Sequence, residues 1–513
     1  MLVHHFLEEN AERFPYKDAA IQLGGRISYL ELEAAANRLA NTLIDLGIKS
    51  GDRVGILMES SIKYIIAYFG ILKAGAIVVG LNTQSAIRNF RNTLRDCQVS
   101  GLIINKNMAH IVKEIYAALP SLNFVVSESS YSHFPKDVEV VFLLDAQLKG
   151  DPSRPAVAIK EDDIAQIIYT SGTTGSPKGV SLSHKNLYAN TSSIVKYLDL
   201  KPDDRVMAIL PFFYSYGNSL LLTHMYCGGS VVIDNRFAYP NIILDIMAQE
   251  RVTGFSGVPS TFAILMHKSN IHNYRFEHLR YITQAGGPMS PALTQKIMEV
   301  MPHIKIFIMY GQTEASARLS YLEPDKLLEK IGSIGKAIPG VKLTVKDEKG
   351  KVCRPGEVGE IIASGDNIMV GYWNQPEETK KVLKEDGLHT GDLAKTDEDG
   401  YLYIVSRRSD MIKSGAHRIS PKEIEEVLAE FPSIIESAVI GVPDKILGES
   451  LVAFIVPNGK IDTKELKKHL RLNLAVFKIP REFIQVKSLP KTSSGKIKRF
   501  ELVEKYKMKA KTS

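Results

Sequence analysis

The sequence predicts an α/β protein. It reads as a large N-terminal domain of mostly parallel sheets covered by helices, a small β-barrel-like subdomain, and a small α+β C-terminal domain. Three observations carry this. Apolar strand patterns alternate with helical patterns over the first four hundred residues, which is the signature of parallel sheets. The pattern turns to antiparallel hairpins near residue 341. It changes again after Arg407-Arg408-Ser409-Asp410, and the domain boundary is placed there, giving 1–408 and 409–513. A chain of 513 residues has length for two or more cores, and 44% hydrophobic with 24% charged residues excludes wholesale disorder.

In chain order, residues 54–57 form a short apolar strand, 62–72 a helix and 76–79 a strand. The apolar window 64–80 contains Lys73 and falls short of a membrane span, so it reads as a buried helix feeding a strand. Strands follow at 167–169, 206–210, 230–233, 254–258, 281–284 and 305–309, with helical stretches between them. In such sheets, phosphate-binding loops sit beyond the carboxyl ends of strands. Residues 342–345 and 359–362 read as antiparallel strands around a turn at 348–351, and another hairpin turns at Asp399-Gly400 into 401–405. The last segment carries helices at 421–430 and 463–473 and strands near Ala438 and Ala453. The sequence shows no internal repeat and no low-complexity tract.

The formal charge of +7, from 64 Lys+Arg against 57 Asp+Glu, is mild for this length. It suits anionic small substrates and is too diffuse to argue for nucleic acid. Cys97, Cys227 and Cys353 are far apart and form neither a disulfide framework nor a zinc site, so a reducing, cytoplasmic compartment is expected. Residues 1–9 are too acidic and too short in apolar residues for a signal peptide. The basic tail 505–511 reads as a solvated segment, with weak contact to anionic lipid as its membrane-facing alternative. No transmembrane segment is expected.

The most informative stretch runs from Tyr169 and Thr170 through Ser171, Gly172, Thr173, Thr174, Gly175, Ser176 and Pro177 to Lys178 and Gly179. Glycines let backbone N–H groups turn toward an anion, and hydroxyls with a lysine surround the same point, as a polyphosphate requires. The bland alternative is a plain Gly/Ser/Thr turn. A Walker A loop is disfavoured, because Gly172 and Gly175 are three apart and no Ser or Thr follows Lys178 to hold a metal ion.

This run resembles the signature loop of the adenylate-forming superfamily, which includes acyl-CoA synthetases, luciferases and adenylation domains. Four further motifs carry the resemblance in the same order along nearly the whole chain. They are Gln284-Ala285-Gly286-Gly287-Pro288, Tyr310-Gly311-Gln312-Thr313-Glu314, Thr390-Gly391-Asp392-Leu393 with Arg407, and Pro490-Lys491-Thr492-Ser493-Ser494-Gly495-Lys496. The resemblance implies the following roles. Gly286 and Gly287 offer bare backbone to the purine, Tyr310 packs on adenine, Thr313 contacts the α-phosphate, and Glu314 helps hold Mg2+. Asp392 with Arg407 binds the ribose, and Lys496 is the catalytic lysine. Taken alone, Asp392 could be a helix cap, Glu314 an ordinary ion-pair partner and Lys496 a surface lysine.

The implied activity is AMP-forming ligation of a carboxylic acid to a thiol, with ATP, Mg2+ and coenzyme A. An acyl-carrier-protein acceptor is the nearest alternative, and a non-catalytic nucleotide- or acyl-binding sensor is the remote one. Lys413 stands where luciferase-like members use a lysine for their second step, and Gly415 and Ala416 stand in the loop that lines the pantetheine tunnel. Ser409, with Asp410 beside it, occupies the hinge position, where the family commonly has Asp or Lys. Ala416 replaces the family's usual second glycine.

For the acid, Ser215 occupies the place where amino-acid-activating members have Asp, so an α-ammonium would lack a buried counter-charge. Gly311 stands where acetate-specific relatives have Trp, and is expected to leave space for a longer acyl chain. The expected pocket wall, Tyr214, Ser215, Tyr216, Val258, Gly286, Gly311 and Ala315, has no evident charge. A medium- or long-chain fatty acid is expected, with an aryl acid as the other option.

Overall fold

A computed structural model describes all residues except 129–133, 136–137, 171–176, 409, 416, 445–446, 493–496 and 513. Among the described residues the strands assemble into four sheets. The first has nine strands, and its middle is parallel: Lys305–Tyr310, Tyr281–Gln284, Gly254–Gly257, Arg205–Ala208, Ser230–Ile233 and Asp18–Gln22 lie side by side. The last pairing brings the N-terminal strand beside one more than two hundred residues away, a connection the sequence patterns do not show.

The second sheet has eight strands. Arg53–Leu57, Ile77–Gly80, Gly101–Ile104, Phe124–Ser127, Glu139–Phe142 and Ile164–Thr170 run parallel. Lys178–Ser183 then pairs antiparallel with Ile164–Thr170, opposing Thr170 to Lys178. The described strands on either side of this run pair antiparallel and the second is a strand, whereas a Walker A loop opens a helix. The strand Gly371–Tyr372 adds to the edge, with Tyr372 opposite Val180.

Between these sheets the helix Ile62–Lys73 is buried over nearly its whole length. Its Lys73 is only 2% exposed and pairs with Glu8 and with Glu33, the latter at 3.0 Å. A buried ammonium persists only with such partners, and the polar residue inside the apolar window is thereby explained. Helix starts follow their caps: Ser28 and Glu31 form a reciprocal capping box before Tyr29–Asp45, and Ser183 with Asn186 does the same before His184–Leu198.

The third sheet is antiparallel, built from Val341–Lys346, Gly359–Gly365, Leu383–Lys384, Gly387–Thr396 and Leu402–Arg407. The fourth lies wholly in the C-terminal segment and packs the helices Pro421–Ala429 and Thr463–Asn473 over the hairpin Ile434–Asp444 and Gly448–Pro457. Among the described residues no helix is long and apolar enough to cross a membrane.

Candidate active site

The parallel neighbours Tyr281–Gln284 and Lys305–Tyr310 end side by side, and their carboxyl ends lead into the glycine-rich turn 285–287 and the segment 311–318. Gln284 Nε2 donates to Gly287 O at 2.7 Å and folds the turn back. Gly286 has φ +86°, a conformation that favours glycine, and a Cβ there would meet Val258 Cγ1 at 3.2 Å.

The hydroxyl of Tyr310 donates to Asp392 Oδ2 at 2.7 Å, and Arg407 Nε donates to Asp392 Oδ1 at 3.0 Å. Asp392 and Arg407 face each other across adjacent strands, so the sheet register presents the pair. Asp392 is 4% exposed. Burial, and then the Asp392 charge, push the Tyr310 hydroxyl well above its ordinary pKa, while Asp392 holds the Arg407 guanidinium protonated. Tyr310 thus orients the carboxylate as well as offering a ring.

Thr313 opens a short 3-10 turn, Thr313–Ala315, and its hydroxyl lies 3.2 Å from that of Ser215, the first residue of the helix Ser215–Cys227. Glu314 Oε1 accepts from the Tyr372 hydroxyl at 2.9 Å. Lys178 Nζ lies 4.9 Å from the Tyr372 ring centroid and donates to Glu378 Oε2 at 2.7 Å. Lys178 and then Lys381 pull the Glu378 carboxyl down to about 2. Tyr372 and Glu378 were not singled out in sequence. The available signal was Gly371-Tyr372-Trp373 ahead of a proline-started helix, Pro376–Val382, with Glu377 and Glu378 in its first turn.

Around the expected acid pocket, Asn82 Nδ2 donates to the Tyr214 hydroxyl at 3.2 Å, and Val258 and Ala315 are buried. Tyr216 donates to Thr283 O at 3.0 Å, which fixes its ring. One expectation is corrected. A Cβ on Gly311 would lie 2.1 Å from Ala317 O and 2.8 Å from Arg318 Cα. The Cβ direction at this position is filled by the chain's own backbone, so Gly311 is there for a close approach and does not open space along that direction. The Arg318 guanidinium stacks 4.1 Å from the Tyr216 ring centroid.

In the C-terminal segment, Lys413 lies on the strand Ile412–Ser414, with its N–H donated to Glu449 Oε2 at 2.7 Å. Gly415 has φ +60° and donates its N–H to Leu447 O. His417 stacks on Phe477 with centroids 3.9 Å apart. Ser171, Gly172, Thr173, Thr174, Gly175, Ser409, Ala416 and Lys496 lie outside the described residues.

For Mg2+, Glu314 is a single carboxylate with one oxygen occupied by Tyr372, and among the described residues no cluster of three His, Cys, Asp or Glu could hold a metal ion. That donor set fits a magnesium ion bound largely through substrate phosphates and water, with one protein carboxylate.

A strand-end site with a ribose-type carboxylate, a phosphate-type lysine and a single metal-suited acid defines a nucleotide-using α/β enzyme. The sequence profile of the AMP-binding enzyme family matches residues 7–373, and that of the AMP-binding enzyme C-terminal domain matches 423–496. A long-chain-fatty-acid–CoA ligase of Bacillus subtilis is 33% identical, over 97% of this chain and 93% of the relative. A feruloyl-CoA synthase of an Amycolatopsis species is also 33% identical, over 97% of both chains. The crystal structure of the anthranilate CoA ligase AuaEII with anthranoyl-AMP superimposes with a TM-score of 0.91 at 28% identity, covering 99% of this chain and 98% of that one. The Bacillus subtilis O-succinylbenzoate coenzyme A synthetase MenE, with ATP and magnesium ion bound, superimposes with a TM-score of 0.85 at 29% identity, over 97% and 98%. The chain belongs to the AMP-binding enzyme family, within the adenylate-forming superfamily, and is an AMP-forming acid–thiol ligase whose co-substrates are ATP and coenzyme A.

Proposed function

We propose that the protein activates a carboxylic acid as its acyl-adenylate and transfers the acyl group to free coenzyme A. The observation that carries the site assignment is that the end of the strand Lys305–Tyr310 and the turn after it are tied to two other sheets, Tyr310 to Asp392 and Arg407, and Glu314 through Tyr372 to Lys178 and Glu378. Asp392, aligned by Tyr310 and Arg407, accepts from the ribose hydroxyls. Lys178 leaves Glu378 for the β- and γ-phosphates, and Thr313 donates to the α-phosphoryl group. A magnesium ion, when bound, offsets phosphate charge, and Glu314 is the residue that would hold it.

In the first step a carboxylate oxygen attacks the α-phosphorus. The bond from that phosphorus to its bridging oxygen breaks, and pyrophosphate leaves with the electron pair. Negative charge grows on the phosphoryl oxygens, so catalysis is positioning and electrostatics, with Lys496 as the added cation. In the second step the thiol attacks the acyl carbon and AMP leaves. Residues 1–408 act as the adenylating unit and 409–513 as the mobile lid that brings Lys496 and then the 413–416 loop to the site. A reducing, cytoplasmic compartment suits the three free thiols.

Gly311 no longer guides the choice of chain length, since its Cβ direction is filled by backbone. Incubation with an acid panel, ATP and free CoA tests the reading. Pyrophosphate release with thioester is the expected result, and pyrophosphate release without thioester would replace CoA with a carrier protein. Lys496→Ala is expected to lower acid-dependent ATP–pyrophosphate exchange by about 10²–10³-fold. Retained exchange would remove Lys496 from the mechanism.

A further inference from the structure

Residues 370–379 form a bracket against the strand that begins at Lys178. Val370 N donates to Ser181 O at 3.0 Å and Trp373 N to Gly179 O at 2.7 Å, so the bracket is zipped to Lys178–Ser183 along its backbone. It then folds back on itself. Tyr372 N donates to Thr379 Oγ1 at 2.9 Å, and Thr379 Oγ1 donates to Gln375 O at 2.9 Å. At the turn Asn374 holds φ +52°, and its Nδ2 donates to Asp96 O at 3.1 Å.

The bracket sets one carboxylate on the phosphate-type lysine. Glu378 lies in the first turn of the helix Pro376–Val382, and its Oε2 accepts from Lys178 Nζ at 2.7 Å. Among the described residues Glu378 is the one carboxylate that pairs with Lys178. The two side chains are 20% and 33% exposed, so a ligand arriving from solvent can reach the pair. The Tyr372 ring holds the ammonium from another side, 4.9 Å from its centroid, while the Tyr372 hydroxyl is spent on Glu314. Lys381, well exposed, takes the other oxygen of Glu378. With two ammonium groups on it, Glu378 stays a carboxylate at any working pH.

Lysine is a compact point charge on a flexible stem, and it turns to whichever anionic oxygen stands beside it. Glu378 fills that place when no phosphate does. We propose that Glu378 is a positioning residue, the resident counter-ion of Lys178, which stands in for the β,γ-diphosphate in the empty site and takes the lysine back as pyrophosphate leaves. ATP and pyrophosphate must each displace it, so it weakens both by the same factor and favours release of the product. Such a uniform change in binding acts on KM rather than on the chemical step. The proposal rests on the reading of Lys178 as the phosphate lysine.

The test measures binding of ATP, pyrophosphate and AMP to the full-length protein by titration calorimetry, at constant Mg2+ and without acid or CoA. E378Q keeps the side chain's shape and removes its charge. It is expected to tighten ATP and pyrophosphate by about three- to fivefold each, the worth of one part-exposed ion pair. AMP carries neither the β- nor the γ-phosphate and is expected to stay within about twofold. In a K178M background, the same substitution is expected to change ATP and pyrophosphate by less than about twofold, because the lysine it competes for is gone. In steady state, E378Q should lower the KM for ATP and the inhibition constant of pyrophosphate together.

Unchanged or weaker binding of ATP and pyrophosphate in E378Q would overturn the proposal. So would an equal gain for AMP, or an equal gain in the K178M background, either of which would make Glu378 a source of general repulsion. Loss of all three ligands together with a lower melting temperature would mark a structural glutamate and overturn it too. ATP affinity unaltered by K178M alone would overturn the underlying reading of Lys178.

Discussion

Replacing Gly311 with alanine separates two accounts of the pocket. The added Cβ would lie 2.1 Å from Ala317 O, where real contacts keep at least 3.0 Å, so the backbone at 317 must move by about 1 Å. That segment yields poorly. Ser316 and Ala317 already hold positive φ, Asn367 Nδ2 bonds Ala315 O and Arg318 O, and Leu319 N donates to Tyr310 O. Overpacking of this kind costs about 1–3 kcal/mol, and one broken backbone hydrogen bond adds about 1 kcal/mol. The sum, about 2–4 kcal/mol, corresponds to a fall of several degrees in melting temperature. Thr313 and Glu314 share the displaced segment, and a misplacement of about 1 Å costs on the order of 10²-fold in rate. The assay is ATP–pyrophosphate exchange with short and long acids, beside thermal melts of both proteins. G311A is expected to lose activity on every acid alike and to melt lower. Selective loss of long acids, with short acids and stability intact, would refute this reasoning and restore the open acyl channel expected from sequence.

Asp392→Asn should raise the KM for ATP by about 10- to 10²-fold while the KM for the acid moves little, since a buried charged acceptor is worth about 1.5–3 kcal/mol; an unchanged ATP KM would remove Asp392 from the nucleotide site. Stability should also fall with acid in a defined window. Burial lowers His184 and His224 to about 4, and His184 Nδ1 accepts the Val3 N–H at 3.1 Å, which a protonated ring could not do. Both folded values lie below the unfolded 6.5, so the unfolded chain binds more protons there. The stability they contribute is present above pH 6.5 and is lost as pH falls from 6.5 toward about 4, by up to about 1.4 kcal/mol per pH unit for each histidine. The depressed carboxyls of Glu378 and Asp386, both near 2, lose their contribution only below about 4.5. Melting temperatures between pH 7.5 and 5 therefore isolate the histidines, and a flat profile there would contradict the assignment, as would a His184→Asn variant with an unchanged slope.

Much of the architecture was legible because it is written locally. Alternating apolar runs and turn residues marked Ser230–Ile233, Tyr281–Gln284 and Thr463–Asn473, and the glycine spacing at 172 and 175 argued against a Walker A loop before the hairpin was seen. The strand Asp18–Gln22 passed unnoticed because its partner, Ser230–Ile233, is supplied by a distant part of the chain. Tyr372 and Glu378 escaped for the same reason, since neither belongs to a phosphate-type motif by itself.

By itself the sequence determined the class of protein, the order of its motifs and the chemistry those motifs suit, because glycine spacing, hydroxyls and a lysine act through neighbours a few residues away. Only the tertiary structure decided what Gly311 is for, which partners hold Lys178 and Glu314, and that a guanidinium lies against Tyr216. Each of those depends on contacts between parts of the chain brought together by packing: Ala317 O against Gly311, Glu378 against Lys178 across two hundred residues, and Arg318 against a ring on the helix Ser215–Cys227. A residue's local pattern does not specify which surface will close over it, and in this protein that surface lays the Arg318 guanidinium on the ring of Tyr216.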